Sequence, residues 1–158
     1  MKYLTGKEEQ EAAIFIDKAA KIALNSPCFR SRCGSVIVNN RDVIGQGFNS
    51  PPIGKILSQC LKDDLPKDFK SDKTCCIHAE QRAIMDALKN DPQKIIGSRL
   101  YFIRLDENGK KEKAGNPYCT ICSKMALDVG LAEFVLWHEK GVCVYDTEEY
   151  NNLSFNYK

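Results

Sequence analysis

The triplet His78-Ala79-Glu80 and the later run Cys119-Thr120-Ile121-Cys122 constrain this chain more than any other feature. One imidazole nitrogen and two thiolates are borderline-soft donors suited to Zn²⁺, and three protein ligands leave the fourth tetrahedral position for water. An open position points to chemistry rather than scaffolding. The fold has to carry two distant segments to one point.

At 158 residues the chain has the length of one domain and can bury a core without staples, so residues 1–158 are read as a single unit. Lys plus Arg number 23 against 21 Asp plus Glu, and a formal charge of +2 gives no argument for a polyanion partner. Nucleic acid is therefore not an expected partner. The segment Met1 to Gln10 lacks an apolar signal region, and no run approaches the length that spans a bilayer, which predicts a cytoplasmic protein without a membrane partner. In a reducing compartment the eight cysteines are expected to be ligands, catalytic groups or small hydrophobes, with no structural disulfide.

Apolar residues at Ala12, Phe15, Ile16, Ala19, Ile22 and Ala23 give residues 8–24 a helical stripe. Ser35 to Val38 and Val43 to Phe48 are β-branched runs joined by Asn39-Asn40-Arg41-Asp42, which predicts a hairpin. Asn49 to Cys76 lacks periodicity and carries Pro51, Pro52, Gly54 and Pro66; it is expected to be a long functional connection with a short helix near Ile56 to Leu61. Ala79, Ala83, Ile84, Ala87 and Leu88 start a second helix at the His-Ala-Glu triplet. Arg99 to Leu105 follows as a strand, Asp106 to Asn116 as a polar loop, and Cys119 to Val129 as a third helix stopped by Gly130. Glu133 to His138 and Val142 to Tyr145 are separated by three residues, too few for a crossover, so they should pair antiparallel. The order α-β-β-α-β-α-β-β predicts a three-layer α/β/α architecture on a five-stranded mixed sheet.

Cys119 and Cys122 lie three apart at a helix start, and His78 also opens a helix. Two helix amino termini beside the metal favour thiolates and keep the ligands ionised at neutral pH. A zinc-bound water is acidified from about 15.7 toward roughly 7. Glu80, two residues beyond a ligand, can reach the open position without binding the metal, accept the water proton and deliver it to substrate.

On these residues the chain resembles the cytidine and deoxycytidylate deaminase superfamily, whose signature is His-x-Glu followed by Pro-Cys-x-x-Cys. The segment Ser26 to Val38 (SPCFRSRCGSVIV) resembles the first strand of deoxycytidylate deaminases and its approach, and Gly47-Phe48-Asn49-Ser50-Pro51-Pro52 resembles their Gly-Tyr-Asn-Gly-Pro turn. The resemblance implies zinc on His78, Cys119 and Cys122, and proton transfer by Glu80 while hydroxide displaces ammonia from a cytosine-type base. It also implies contacts to the sugar or base from Asn49 and to the ring carbonyl from the backbone N–H of Ala79. A small-molecule nucleotide or nucleoside is the implied substrate, deoxycytidylate the leading class, and a homo-oligomer the implied assembly. Phosphate contacts would come from among Arg30, Arg32, Lys55 and Arg82. Two departures stand out: Tyr118 separates Pro117 from Cys119, and the last two strands form a hairpin where deoxycytidylate deaminases insert a helix before a parallel strand.

Other arrangements stay open in the sequence. A purine-directed deaminase, acting on guanine or on adenosine in RNA, shares the zinc motif. A non-catalytic zinc-stabilised binding module would have no use for Glu80. Cys75 or Cys76 could close the metal site as a fourth ligand. Cys28 and Cys60 occupy positions that hold a second zinc in some deoxycytidylate deaminases, but no further ligands can be identified and free loop thiols are expected. Cys33, Cys75, Cys76 and Cys143 are read as small buried hydrophobes. Residues 146–158 have no assigned role.

Overall fold

The computed structural model describes residues 1–66 and 75–157. Its central strands are β2 (Arg32–Asn39) and β4 (Arg99–Leu105), which pair antiparallel from Arg32↔Leu105 to Val38↔Arg99. On the outer side of β2 lies β3 (Asp42–Phe48), joined by the two-residue turn Asn40-Arg41. Both turn residues have positive φ (47° and 72°), the geometry whose twist matches a hairpin. Ile44 has no partner where the β2–β3 register shifts, a bulge that bends the edge strand. On the other side of β4, β6 (Glu133–His138) runs parallel, and β7 (Gly141–Asp146) returns antiparallel, as the short connection requires.

The sheet has seven strands rather than the expected five, because Lys2–Tyr3 (β1) pairs with β7 and Lys111–Glu112 (β5) pairs with the end of β4. Two-residue strands carry no readable period, and neighbouring backbone alone recruits them. The strand order is β1-β7-β6-β4-β2-β3.

Alternation along the strands separates two cores. Val36 and Val38 of β2, Tyr101 and Ile103 of β4, and Val142 and Val144 of β7 pack against Ala12, Phe15, Ile16 and Ala19 of α1 (Gly6–Ala23). On the opposite face Ile37, Leu100, Phe134 and Cys143 meet α2 (Ala79–Asn90) through Ala83, Ile84 and Ala87, and α3 (Thr120–Asp128) through Ala126. The predicted α/β/α layering is present. Gly130, at φ 79°, ends α3 as its glycine predicts.

The helix expected near Ile56 to Leu61 is absent. Single 3-10 turns occur instead at Pro52–Gly54, where the missing proline N–H costs nothing, and at Leu61–Asp64. Ile56 is 89% exposed, so that run has no apolar stripe to bury. The part of this connection at 67–74 lies outside the described residues. The tail holds a helix the sequence left unassigned, α4 (Thr147–Phe155), capped by Asp146, which accepts from the N–H groups of Glu148 and Glu149. Aspartate followed by two glutamates is a helix-start signal.

The closest packing in the molecule's site-bearing half is α2 on β3. A Cβ on Gly47 would stand 2.5 Å from the Ala79 carbonyl oxygen and 2.6 Å from the Ala83 nitrogen, and one on Gly45 would stand 2.4 Å from the Ala83 oxygen. Glycine on the strand and alanine on the helix let the backbones touch. Gly47→Ala should therefore cost about 1–3 kcal/mol by overpacking. Gly115→Ala, at a site with nothing within 4 Å of the added methyl, should change stability by less than about 0.5 kcal/mol. Equal thermal midpoints for the two variants would refute the close-packing argument.

Candidate active site

His78 is the N-cap of α2, with extended backbone (φ −69°, ψ 155°), and its N–H donates to the Gln81 side-chain oxygen at 3.0 Å. Cys119 is the N-cap of α3 rather than its first helical residue, and its sulfur accepts from the Cys122 N–H at 3.4 Å. The N-cap geometry turns both side chains back across their own helix starts, toward each other. His78 Nδ1 lies 3.3 Å from each sulfur, and the sulfurs are 3.1 Å apart. All three donor atoms fall within 4.8 Å of one another. Nitrogen plus two sulfurs, so gathered on helix amino termini, fit zinc.

The cluster residues shift one another's acidity. Hydrogen bonds from Cys122 and His78 outweigh burial and bring the Cys119 thiol down to about 4. Cys122 donates to Cys119 and is fully buried, so its own thiol is pushed up. The bond to Cys119 raises His78 above the ordinary imidazole value. Metal binding would replace the shared proton.

Glu80 is 6% exposed, and desolvation, partly offset by His78, raises its carboxyl above the usual range. Its carboxyl is within hydrogen-bonding reach of Cys122. A carboxyl raised above its ordinary value by burial gives up and takes a proton more evenly, as a proton shuttle needs. Among the described residues, the group that could hold a metal consists of His78, Cys119 and Cys122 alone. Cys75 and Cys76 are occupied elsewhere: Cys75 Sγ lies 4.0 Å from Cys60 Sγ and 3.8 Å from Cys76 Sγ, and Cys76 also meets Cys28. These thiols line the cavity mouth, and Cys33, Cys75 and Cys76 are half-buried rather than core; Cys143 is buried as expected. Among the described residues no cysteine forms a disulfide.

A cavity of about 270 Å³ opens beside the cluster, bordered by His78, Ala79, Glu80 and Asn49. The four residues singled out by sequence are thus brought to one wall. Ala79 is fully buried at the first helical position, where the backbone N–H has no intrahelical acceptor. The Asn49 side chain braces the approach to β2: its oxygen accepts from the Cys33 N–H at 2.7 Å and its nitrogen donates to the Ser31 carbonyl at 2.9 Å. Ser26 Oγ reaches both the Asn49 carbonyl and side-chain oxygens, at 2.6 and 2.7 Å. Asn49 is a structural brace and a cavity residue at once.

A second lobe of about 390 Å³ adjoins the first and shares Glu80, Phe102, Arg104, Tyr118 and Cys119 with it. Phe102, Arg104, Tyr150 and Tyr157 were not identifiable as site residues in the sequence, since they lie on β4, on α4 and just beyond α4 and reach the cavity only through the tertiary fold. Of the cations near the motifs, Arg30 lines the cavity and pairs with Asp63. Arg82 instead holds the Ser50 and Pro51 carbonyls, and Arg32 holds that of Glu107. Lys62 and Arg104 join Arg30 at the cavity.

The comparisons with known proteins agree with this geometry. The chain is 36% identical over 98 residues to the deoxycytidylate deaminase of Mycobacterium phage D29, covering 57% of this chain and 74% of that one. It is 28% identical over 148 residues to the deoxycytidylate deaminase of Saccharomyces cerevisiae, covering 85% of this chain but only 42% of the yeast protein. The fold is similar to that of the dCMP deaminase of cyanophage S-TIM5, with a TM-score of 0.58, 22% identity and 82% of each chain covered. It is also similar to that of a cytidine deaminase from Burkholderia pseudomallei, with a TM-score of 0.56, 16% identity, and 87% of this chain and 94% of that one covered. The family model described as the cytidine and deoxycytidylate deaminase zinc-binding region matches residues 9–138, and this chain, with its His78, Cys119 and Cys122 cluster on two helix starts, belongs to that family of zinc-dependent deaminases.

Proposed function

We propose that this protein hydrolytically deaminates a cytosine-type base carried on a deoxycytidylate-class nucleotide, releasing ammonia. The observation that carries the proposal is the buried Glu80 carboxyl beside a three-donor metal cluster in an open cavity. The name of the phage D29 relative supports the substrate class, as does the S-TIM5 enzyme, whose structure has also been solved in complex with dCMP and dUMP. Nothing in the site favours guanine or RNA adenosine.

His78, Cys119 and Cys122 would hold zinc, which would supply the Lewis acidity that makes water nucleophilic at neutral pH. Glu80 takes the water proton as the C–O bond forms at the amino-bearing ring carbon. It passes that proton to the adjacent ring nitrogen as the ring carbon–nitrogen double bond becomes single, then moves the hydroxyl proton to the amino nitrogen as the carbonyl forms and the C–N bond breaks, so one water enters and one ammonia leaves. The Ala79 N–H donates to the ring carbonyl, and Asn49 holds the nucleoside through the strand approach it braces. Arg30, Lys62 and Arg104 are the cations near enough to attract a phosphate. We further propose that residues 1–158 act as one domain, in the cytoplasm, as a homo-oligomer; among the described residues no helix is long and apolar enough to cross a membrane.

Glu80→Gln should keep its zinc and fold while ammonia release from dCMP falls about 10²–10⁴-fold; full activity would remove Glu80 from the mechanism. Cys119→Ala should bind less than a tenth of the zinc held by the unmutated protein when both are measured by mass spectrometry, and equal zinc content would overturn the ligand assignment. Asn49→Ala leaves the Cys33 N–H and the Ser31 carbonyl without their partner, so it should lose about 1–3 kcal/mol of stability and raise KM more than it lowers kcat. An unchanged melting midpoint and unchanged kinetics together would show that Asn49 neither braces nor binds. A panel of cytosine, cytidine, deoxycytidine, CMP, dCMP, guanine and adenosine tests the substrate class, and turnover confined to a purine would refute it.

A further inference from the structure

Two aromatic residues at the cavity take no part in the metal chemistry. Tyr118 stands directly before the ligand Cys119, where the family pattern has proline, and borders both lobes of the cavity. It is 56% exposed. Tyr157 borders the second lobe and meets the Tyr118 ring edge-on, with centroids 4.8 Å apart and planes at 83°. Phe102, on β4, also lines both lobes.

α4 fixes this pair from behind. Tyr150 stacks on Phe134 of β6 at 4.1 Å and 18°, and its hydroxyl lies near the Tyr118 backbone. Ser123 Oγ of α3 donates to the Asn151 side chain at 2.8 Å, tying α4 to the helix that begins at Cys119. Asn156 closes the helix through its N–H to the Leu153 carbonyl, and Tyr157 follows immediately. Tyr118 is thus met at its backbone by one residue of α4 and at its ring by a residue just beyond it.

We propose that Tyr118 is a substrate-binding residue whose ring stacks on the planar base of the substrate, and that Tyr157 is a positioning residue that holds the Tyr118 ring in place. The inference rests on the deaminase reading and adds to it the surface on which the ring lies. A planar heteroaromatic base gains from an aromatic face, and a perpendicular ring partner restricts the turning of that ring. Residues 147–157, which follow the last strand, become part of the substrate site.

The test uses Tyr157→Ala, Tyr157→Phe and Tyr118→Ala in the zinc-loaded full chain. Tyr118→Ala and Tyr157→Ala should each raise KM for the accepted substrate, by about tenfold for Tyr118 and less for Tyr157. kcat should stay within about twofold and zinc content should not change, because neither ring carries protons. Tyr157→Phe should restore KM, since the edge contact needs no hydroxyl. An unchanged KM in Tyr157→Ala, or a Tyr157→Phe variant as impaired as Tyr157→Ala, would overturn the positioning role; an unchanged KM in Tyr118→Ala would overturn the stacking role. Calorimetric binding of dCMP to the same variants in the Glu80→Gln background separates the two claims. If the unmutated enzyme releases no ammonia, the deaminase reading fails, while weaker dCMP binding without Tyr118 or Tyr157 still supports the wall. Equal dCMP binding in all variants, or none in any, refutes it.

Discussion

The close contact between the alanine face of α2 and the glycines of β3 is the constraint on which the site depends. Side chains larger than hydrogen at 45 and 47 would push the helix outward, since the nearest helix atoms already lie about 2.5 Å from a hypothetical Cβ. The start of α2 carries His78, Ala79 and Glu80, so its seating on β3 sets where the imidazole, the first free N–H and the carboxyl stand. β3 is in turn paired to β2, and its end leads into Asn49, which ties the approach of β2 to the same wall. Packing and chemistry therefore share residues at this point.

The second half of the site comes from the crossing between β4 and β6. These strands are parallel neighbours, and the chain between them has to pass over one face of the sheet. α3 makes that passage on the same face as α2, and its start presents Cys119 and Cys122 to His78. His78 and Cys119 cap the two helices, and Cys122 sits in the first turn of α3. Hydrogen bonds from Cys122 and His78 hold the Cys119 thiol low, whereas its bond to Cys119 and burial push the Cys122 thiol up.

Some residues serve two functions for a physical reason. The resemblance implied that Asn49 contacts substrate. Its side chain satisfies backbone groups of a loop that also borders the cavity, so bracing and binding are not separable by position. The cations near the motifs divide in the same way: half-buried Arg82 is consumed in holding carbonyls of the turn after β3, whereas exposed Arg30 stays at the cavity, paired with Asp63. Sequence proximity to a motif does not distinguish these cases, because the direction of a long side chain is set by which carbonyls the fold leaves unpaired.

The sequence by itself determined the helices α1, α2 and α3, the main strands, the antiparallel end hairpin and the metal-type residues, because periodicity, short connections and ligand spacing are local properties. Tertiary structure decided what depends on neighbours distant in the chain. It recruited Lys2–Tyr3 and Lys111–Glu112 as strands through backbone pairing, and it left Ile56 exposed instead of helical. It also brought Phe102, Arg104 and Tyr157 to the cavity. The α4 helix falls between these cases: Asp146 and the glutamates after it signal a start, but only the stacking of Tyr150 on Phe134 determines where that helix lies. A local pattern can specify an element and its chemistry, whereas a cavity wall exists only once sheet order has chosen which elements face each other.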